Sequence, residues 1–472
     1  MFGAAACKAM RAGVAGFIAL LIASPVPSAA ETVQSFEAWL SDLKPAMTSA
    51  GVSDATFNRV FSGLSPDCGQ TGVFCGVTPG EDNQQSWTER DGLPNSCDKV
   101  PQREFLEPAA YFPESFIRQI VAKGQAVLAD LRTQQNDTYQ HILKIEDVYG
   151  VPVPMLMALW ARETSFGEAR LDHNAVTALA SLAYAGLEHR RAWNRRQLTG
   201  AVKMIEDGHV TVAAFRSSWA GATGLTQIMP EEFLQFGADG DGDGVKNIWT
   251  SVPDALATTA NILKQRGWKT EQRGWGQEVR LPQGDTAWDC TLEGRGNRRP
   301  VGRWVEQSGI APIQRGAQIA APSLGMDQLG YLLTPAGTSG PAFLVTDNFD
   351  ALRAYNPSDL YALFVGTIHD RLGCDTPDAA CTFNAPWPDA NPDAFAFTVE
   401  NICRLQRGLQ QKGLLGGEAD GLFGPQTRIA IGRYQKSQGV TPTCYPTTPL
   451  FEHVTGSRKN DAPQQDGAPA VP

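Results

Sequence analysis

Pro154-Met-Leu-Met-Ala-Leu-Trp-Ala-Arg-Glu-Thr-Ser-Phe-Gly167 is the stretch on which the reading of this chain turns. Leu156, Leu159, Trp160 and Glu163 fall at i, i+3, i+4 and i+7, the spacing of one helix face. The spacing predicts a helix with a carboxylate on the side that seeks the core, shortly before a glycine. Partial burial disfavours the ionised form of such a group and raises its pKa. A raised-pKa Glu at a helix end suits general acid work on a glycosidic bond near neutral pH. The plainer alternative is a structural ion pair, with Arg162, Arg190 or Arg191 as partner.

Around this stretch the chain reads as mainly α. Phe36, Trp39, Leu40 and Leu43 form an apolar stripe within a helical region over 31–62. Residues 63–101 are rich in Gly, Pro, Asp and Asn and carry three cysteines, so they read as a loop-like insertion. Helices are expected from about Pro113 to about Phe236, over Pro253 to Arg266, and from Phe349 to Leu372. Between the last two, Val301-Gly-Arg-Trp304 and Tyr331-Leu-Leu333 read as short strands. Pro386, Pro388 and Pro392 mark a linker over 386–396. A compact helical module follows over 397–455, and 456–472 has the composition of a disordered tail.

The 472 residues carry a formal net charge of −10, and no basic stripe with interleaved aromatics occurs. Nucleic acid is therefore an unsuitable partner. Residues 1–30 have the pattern of a secretory signal: Lys8 and Arg11, an apolar run from Gly13 to Ala23, then Ser28-Ala-Ala30. That run is too short to span a bilayer comfortably, and Cys7 precedes it. The expectation is an exported, periplasmic protein of a Gram-negative bacterium, beginning at Glu31 and without an integral membrane anchor.

Cys68, Cys75, Cys97, Cys290, Cys374, Cys381, Cys403 and Cys444 remain after the signal. An even count in an exported chain points to disulfides. Their spacing lacks a zinc pattern, and the six histidines form no His-Glu-x-x-His motif. Short spacing favours Cys374–Cys381. Cys403 and Cys444 bracket one small module and would close it. Pairing among the first four stays open.

A second segment, Ser217-Ser-Trp-Ala-Gly-Ala-Thr-Gly-Leu-Thr-Gln-Ile-Met-Pro230, has two glycines that permit unusual turns, and Gln227 offers a donor and an acceptor to a sugar. Further motifs follow in Asp239-Gly-Asp-Gly-Asp-Gly244, Asn247-Ile-Trp249, Ala260-Asn261 and Gly267-Trp268. Together with Glu163-Thr-Ser-Phe-Gly167 they resemble the membrane-bound lytic transglycosylase B family over roughly residues 100–372. The resemblance implies a lysozyme-like, α-rich (α+β) catalytic domain over 31–385. It implies Glu163 as sole catalytic acid/base. It implies substrate-groove roles for Ser218, Gln227, Arg190, Arg191 and Tyr355. Glu168 follows Gly167 on an expected exposed turn, so no second acid stands in a matching position.

One carboxylate is enough for a lytic transglycosylase, which needs no cofactor for catalysis. The muramoyl C6 hydroxyl attacks C1 and leaves a 1,6-anhydro end in the peptidoglycan strand. A hydrolytic muramidase or a noncatalytic wall-binding scaffold are the competing readings. Asp239, Asp241, Asp243 and Gly244 have the order of a calcium loop, but its twelfth position is Thr250 rather than Glu. Asp254 would replace it, as the family's longer loop allows, and Val245 would lend its carbonyl. The alternative is an Asp/Gly turn without a metal.

Residues 403–415, Asp420-Gly-Leu-Phe-Gly-Pro-Gln-Thr427 and 430–435 resemble a three-helix peptidoglycan-binding domain. Leu405, Leu409, Ile429, Ile431 and Tyr434 are expected in its core, with Asp420, Gly421 and Phe423 bordering the binding surface by analogy. Such a module raises local substrate concentration by tethering.

Overall fold

The computed structural model describes residues 34–70, 73, 107–133, 137–272, 274–282, 288–313, 324–373, 387 and 395–456. The signal segment, most of the 63–101 insertion, the Cys374–Cys381 pair and the tail beyond 456 lie outside them.

The N-terminal helical region forms α1 (Phe36–Ser49) and α2 (Asp54–Phe61), with Ser35 and Ser53 each capping a helix through its side chain. After α3 (Pro108–Tyr111) come α4 (Glu114–Thr133), α5 (Thr138–Tyr149) and α6 (Val153–Thr164). Next are β1 (His173–Asn174), α7 (Ala175–Ala185), α8 (Glu188–Glu206), β2 (Arg216–Ser217), α9 (Pro230–Phe236) and α10 (Val252–Gln265). The residues between α8 and α9 are mostly turns, so the long helical region expected from the sequence is interrupted there.

Helix α6 is buried on nearly every side, from Val153 and Met155 to Ala161. An all-round apolar helix belongs at the centre of a domain. It packs with α4, α5 and α10 and with two later helices, α12 (Asp347–Tyr355) and α13 (Asp359–Leu372). The continuous helix expected from Phe349 to Leu372 is therefore two helices. Pro357 separates them, and Ser358 caps the second through the Tyr361 N–H at 3.2 Å. A neighbouring core joins α1 and α2 to the α7–α8 hairpin and α9.

Between α10 and α12 the chain builds an antiparallel sheet. Its strands are β3 (Gly276–Arg280), β4 (Arg299–Pro300), β5 (Ala311–Pro312), β6 (Leu329–Leu333) and β7 (Ala342–Thr346), in the order β4-β6-β7-β3-β5. The strand expected at Tyr331–Leu333 lies within β6, but Val301–Trp304, expected as a strand, is part of a helix, α11 (Val301–Ser308). Val301 and Trp304 lie one helical turn apart and both are buried, which satisfies a short amphipathic helix as well as a strand. Tyr331 pairs with Val345 and Leu333 with Phe343, and these four face the helical core. Leu332 and Leu344 face the other way, into a second core with Trp288, Trp304, Cys290 and Cys444.

The C-terminal module is α14 (Val399–Gln411), α15 (Pro425–Ser437) and α16 (Thr448–Thr455). Leu405, Leu409, Ile431 and Tyr434 are in its core as expected; Ile429 is half-buried, and Ala430 is buried beside it. Phe423 is 5% exposed, so it is packing rather than surface. Asp420 and Gly421 are held by the Gln406 side chain, at 2.8 Å each.

One expectation is corrected here. Cys444 bonds to Cys290, 154 residues away, so Cys403 and Cys444 do not close the module on itself. Cys403 and Cys68 each take part in a further disulfide. The module packs against the segments that flank the sheet strands. The Thr338 N–H donates to the Thr443 carbonyl at 3.0 Å, and Lys436 reaches Asp289 at 2.5 Å. Trp387, in the expected linker, stacks on Phe112, which follows α3, at 4.6 Å.

Candidate active site

The apolar run that makes α6 ends with three residues in left-handed backbone: Ser165 (φ 51°), Phe166 (φ 64°) and Gly167 (φ 86°). Left-handed residues stop a helix abruptly. Lys123 fastens this stop by donating to the Ser165 carbonyl at 2.7 Å. Glu163 is thus half-buried in the last turn of a rigid helix. The next acid, Glu168, is exposed and ion-paired with Lys123.

The second sequence segment is brought directly to this helix end. The Thr164 hydroxyl donates to the Leu225 carbonyl at 2.5 Å. Leu225 is held in turn by its N–H to the Ile248 carbonyl at 2.9 Å. Gly224 (φ 75°) must be glycine here, because a Cβ would lie 2.7 Å from the Ile248 carbonyl oxygen. Gln227 adopts φ 54° and its side-chain amide donates to the Gly224 carbonyl at 3.1 Å. A bulky residue in left-handed backbone needs its surroundings to hold it. Thr223 and Ile228 supply that hold through paired backbone hydrogen bonds of 3.0 and 2.8 Å.

Two tyrosines from α12 and α13 complete the arrangement. The Tyr361 hydroxyl donates to Glu163 Oε1. The Tyr355 hydroxyl donates to the Thr226 carbonyl at 2.6 Å, beside Gln227. Burial first, and then the charge of Glu163, push both phenols well above the usual range. Both therefore remain donors throughout the physiological range. Arg162 lies over the Tyr361 ring at 5.8 Å and donates to the Tyr111 hydroxyl at 2.6 Å.

The other sequence-selected residues fall differently. Ser218 is half-buried in the same turn, its N–H donating to the Ala222 carbonyl at 2.8 Å. Arg190 is exposed and stacks on Trp193 at 4.2 Å, in a cleft of about 80 Å³ that Leu182, Asn194 and Trp219 also line. Arg191 closes the α7–α8 connection by donating to the Gly186 carbonyl at 2.8 Å.

The Transglycosylase SLT domain model matches residues 35–370, well over half of the chain. The chain belongs to the SLT transglycosylase family. A putative peptidoglycan binding domain matches residues 398–452, which are α14 to α16. SltB3 from Pseudomonas aeruginosa, in complex with NAG-NAM-pentapeptide, is 32% identical. That similarity covers 89% of this chain and 100% of the other, with a TM-score of 0.71. The SltB3 complex with NAG-anhNAM-pentapeptide gives 31%, 89%, 99% and 0.69. Membrane-bound lytic murein transglycosylase B from Escherichia coli K12 is 28% identical over 223 residues, 46% of this chain. The matched part is 56% of that curated relative, about half its length.

Sequence reasoning missed Tyr361 in this SLT transglycosylase. The only local sign is a phenol in the otherwise apolar run Leu360 to Gly366. Its partner Glu163 is 198 residues away.

The acidic loop after α9 folds as a set of converging carboxylates. Asp239, Asp241 and Asp254 each place an oxygen within 4.8 Å of the others. Asp254 is buried; burial raises its pKa, against the pull of the Asn247 and Gly240 N–H donors. Asp243 does not join these three: it is exposed and accepts the Val245 N–H at 2.7 Å. The Val245 side chain is 54% exposed.

Proposed function

We propose that the chain is a lytic transglycosylase acting between N-acetylmuramic acid and N-acetylglucosamine in peptidoglycan, with Glu163 as acid and then base. The observation that carries this reading is the half-buried Glu163 carboxylate, held by the Tyr361 hydroxyl at a rigid helix end, with the next acid turned to Lys123. The named SltB3 complexes support the substrate class.

Oε1 of Glu163 accepts from Tyr361, so the acid proton belongs on Oε2. That proton goes to the glycosidic oxygen as the bond to muramoyl C1 breaks. The resulting carboxylate removes the proton of the C6 hydroxyl, whose oxygen bonds to C1. Glu163 ends protonated as it began, and water is not consumed. Ser218, Gln227 and Tyr355 are the neighbouring positions for sugar contact, and Arg190 lies at the cleft by Trp193. Mass spectrometry of products released from purified peptidoglycan tests the reading. Anhydromuramoyl ends are expected; reducing muramoyl ends would overturn it in favour of hydrolysis.

Tyr361→Phe removes the donor to Glu163. A hydrogen bond to a charged group is worth roughly 1.5–3 kcal/mol, so kcat should fall about tenfold or more. The bond favours the carboxylate, so its loss raises the acid's pKa. The pH–rate limb that reports Glu163 should move to higher pH, and an unmoved limb would remove Tyr361 from the mechanism.

The hard oxygen donors of Asp239, Asp241 and Asp254 fit calcium, in a structural role away from the chemistry. A ligand that binds only the folded state raises its stability by about 2.7 kcal/mol at a hundred times its Kd. Calcium should raise the midpoint of thermal unfolding, and Asp241→Asn should abolish the rise. No calcium-dependent change in the unmodified chain would leave only the Asp/Gly turn.

The α14–α16 module would hold the enzyme on glycan strands. The signal-like residues 1–30 support export to the periplasm. No helix of the described residues is long and apolar enough to cross a membrane. N-terminal sequencing of the mature protein should begin at Glu31, and retention of residues 1–30 would end this reading.

A further inference from the structure

Among the described residues, Arg428 is the most deeply placed cation of the C-terminal module. It lies on α15, 1% exposed; Nη1 donates to the Phe423 carbonyl of its own module at 3.4 Å, while the rest of the head group faces outward from the module. Nε sits 2.8 Å from Oε1 of Glu293, which is itself 1% exposed in the turn before β4. The other Glu293 oxygen accepts from the Thr334 N–H and hydroxyl. One Arg428 terminal nitrogen, Nη2, is 3.7 Å from Oδ2 of Asp359. Oδ1 of Asp359 is 2.6 Å from Nε of Arg353.

These ion pairs end at the corner between α12 and α13. Arg353 is two residues before Tyr355, and Asp359 is two residues before Tyr361. Tyr361 holds Glu163, and Tyr355 holds the Thr226 carbonyl next to Gln227. A charge buried this completely is weak evidence for stability, because well-packed apolar residues often serve as well. The guanidinium fork bonds to Glu293 and turns Nη2 toward Asp359 at 3.7 Å, an arrangement that a point charge on a flexible stem cannot reproduce. Docking does not depend on it alone, since Cys290–Cys444 and Lys436–Asp289 fasten the same face.

We propose that Arg428 is a positioning residue for the reaction: from the wall-binding module it fixes the α12–α13 corner, and so the Tyr361 hydroxyl on Glu163. The proposal rests on Glu163 being the catalytic acid. It makes the C-terminal module part of the catalytic apparatus as well as a wall anchor.

The test uses the full mature chain and a soluble GlcNAc–MurNAc tetrasaccharide. Arg428→Lys keeps the charge opposite Glu293 but loses the fork. Asp359→Asn keeps the shape and leaves the Arg428–Glu293 pair intact. Each should lower kcat about tenfold with KM little changed, because small misplacements at a reacting centre are expensive. Binding to intact sacculi should be unchanged. The double variant should be no worse than either single one, as members of one network are not additive.

A folded Arg428→Lys or Asp359→Asn enzyme with unmodified kcat would overturn the proposal. So would a loss seen only in KM or in sacculus binding. If Arg428→Lys does not fold, Asp359→Asn decides the matter. Glu163→Gln is run alongside: if that variant still turns over the tetrasaccharide, the acid assignment fails, a result distinct from failure of the Arg428 link.

Discussion

Glu163→Gln should reduce kcat by about three orders of magnitude, within the range that one positioned acid/base supplies. The substitution keeps the size of the side chain, and Gln can still accept from the Tyr361 hydroxyl. What it loses is the proton for the leaving oxygen and the base for the C6 hydroxyl. The variant should therefore unfold at the temperature of the unmodified chain and still bind sacculi. Anhydromuramoyl products, followed by mass spectrometry, should nearly vanish. Substantial product from this variant would move the acid elsewhere, with Glu232 the first place to look. Burial raises the pKa of Glu232 against the charge of Arg266, and its own charge adds to the upward shift of Tyr355.

Replacing Cys290 and Cys444 together by serine should produce the largest loss of stability. The bond links residues 154 apart. On loop entropy a cross-link of that length restrains the unfolded chain by roughly 5 kcal/mol at most. Cys68 and Cys403 are also disulfide-bonded, and those cross-links already restrict the unfolded chain, so the measured loss should fall below that limit. A few kcal/mol in a unit of this size corresponds to a midpoint roughly 5 °C lower. Thermal unfolding of the double-serine variant beside the oxidised unmodified chain checks this. Equal midpoints would mean that the buried Glu293–Arg428 pair and the surrounding packing hold the module without help.

The parts of this fold that are written locally are legible in the residues themselves. Leu156 to Glu163 has one period, one burial and one helix, and the glycine after it marks the stop. The same holds for α14 and α15, where Leu405, Leu409 and Ile431 fill the core that their spacing demands. Val301 to Trp304 is ambiguous in principle, because four residues with two apolar ends satisfy a helix turn as well as a strand. Phe349 to Leu372 reads as one helix because both halves have helical periodicity. Only the residue before Pro357 shows the break.

Pairings over long distance carry no such local signal. Bracketing one module favours Cys403 as the partner of Cys444, yet Cys290 lies against Gly432 of α15 and makes the bond. Tyr361 cannot be selected over the other tyrosines without knowing that α13 packs along α6. The motif residues fare better: Thr164 and Leu225 are directly bonded, so Glu163 and the Gln227 turn lie together as their resemblance implies. Arg191 is bonded to a backbone carbonyl, and Phe423 lies inside the module's core rather than at its surface.

The docked position of α14 to α16 also fixes a length. A module on a slack connection would let the cutting site sample many distances along a strand from its point of attachment. Here a covalent bond, a buried ion pair and the stacked Trp387 remove that slack. On the proposed function, attachment and cleavage would be separated by one constant span, and the chain would act as a pair of callipers on the glycan. Where the strand is held would then determine which of its repeating bonds is presented for cutting.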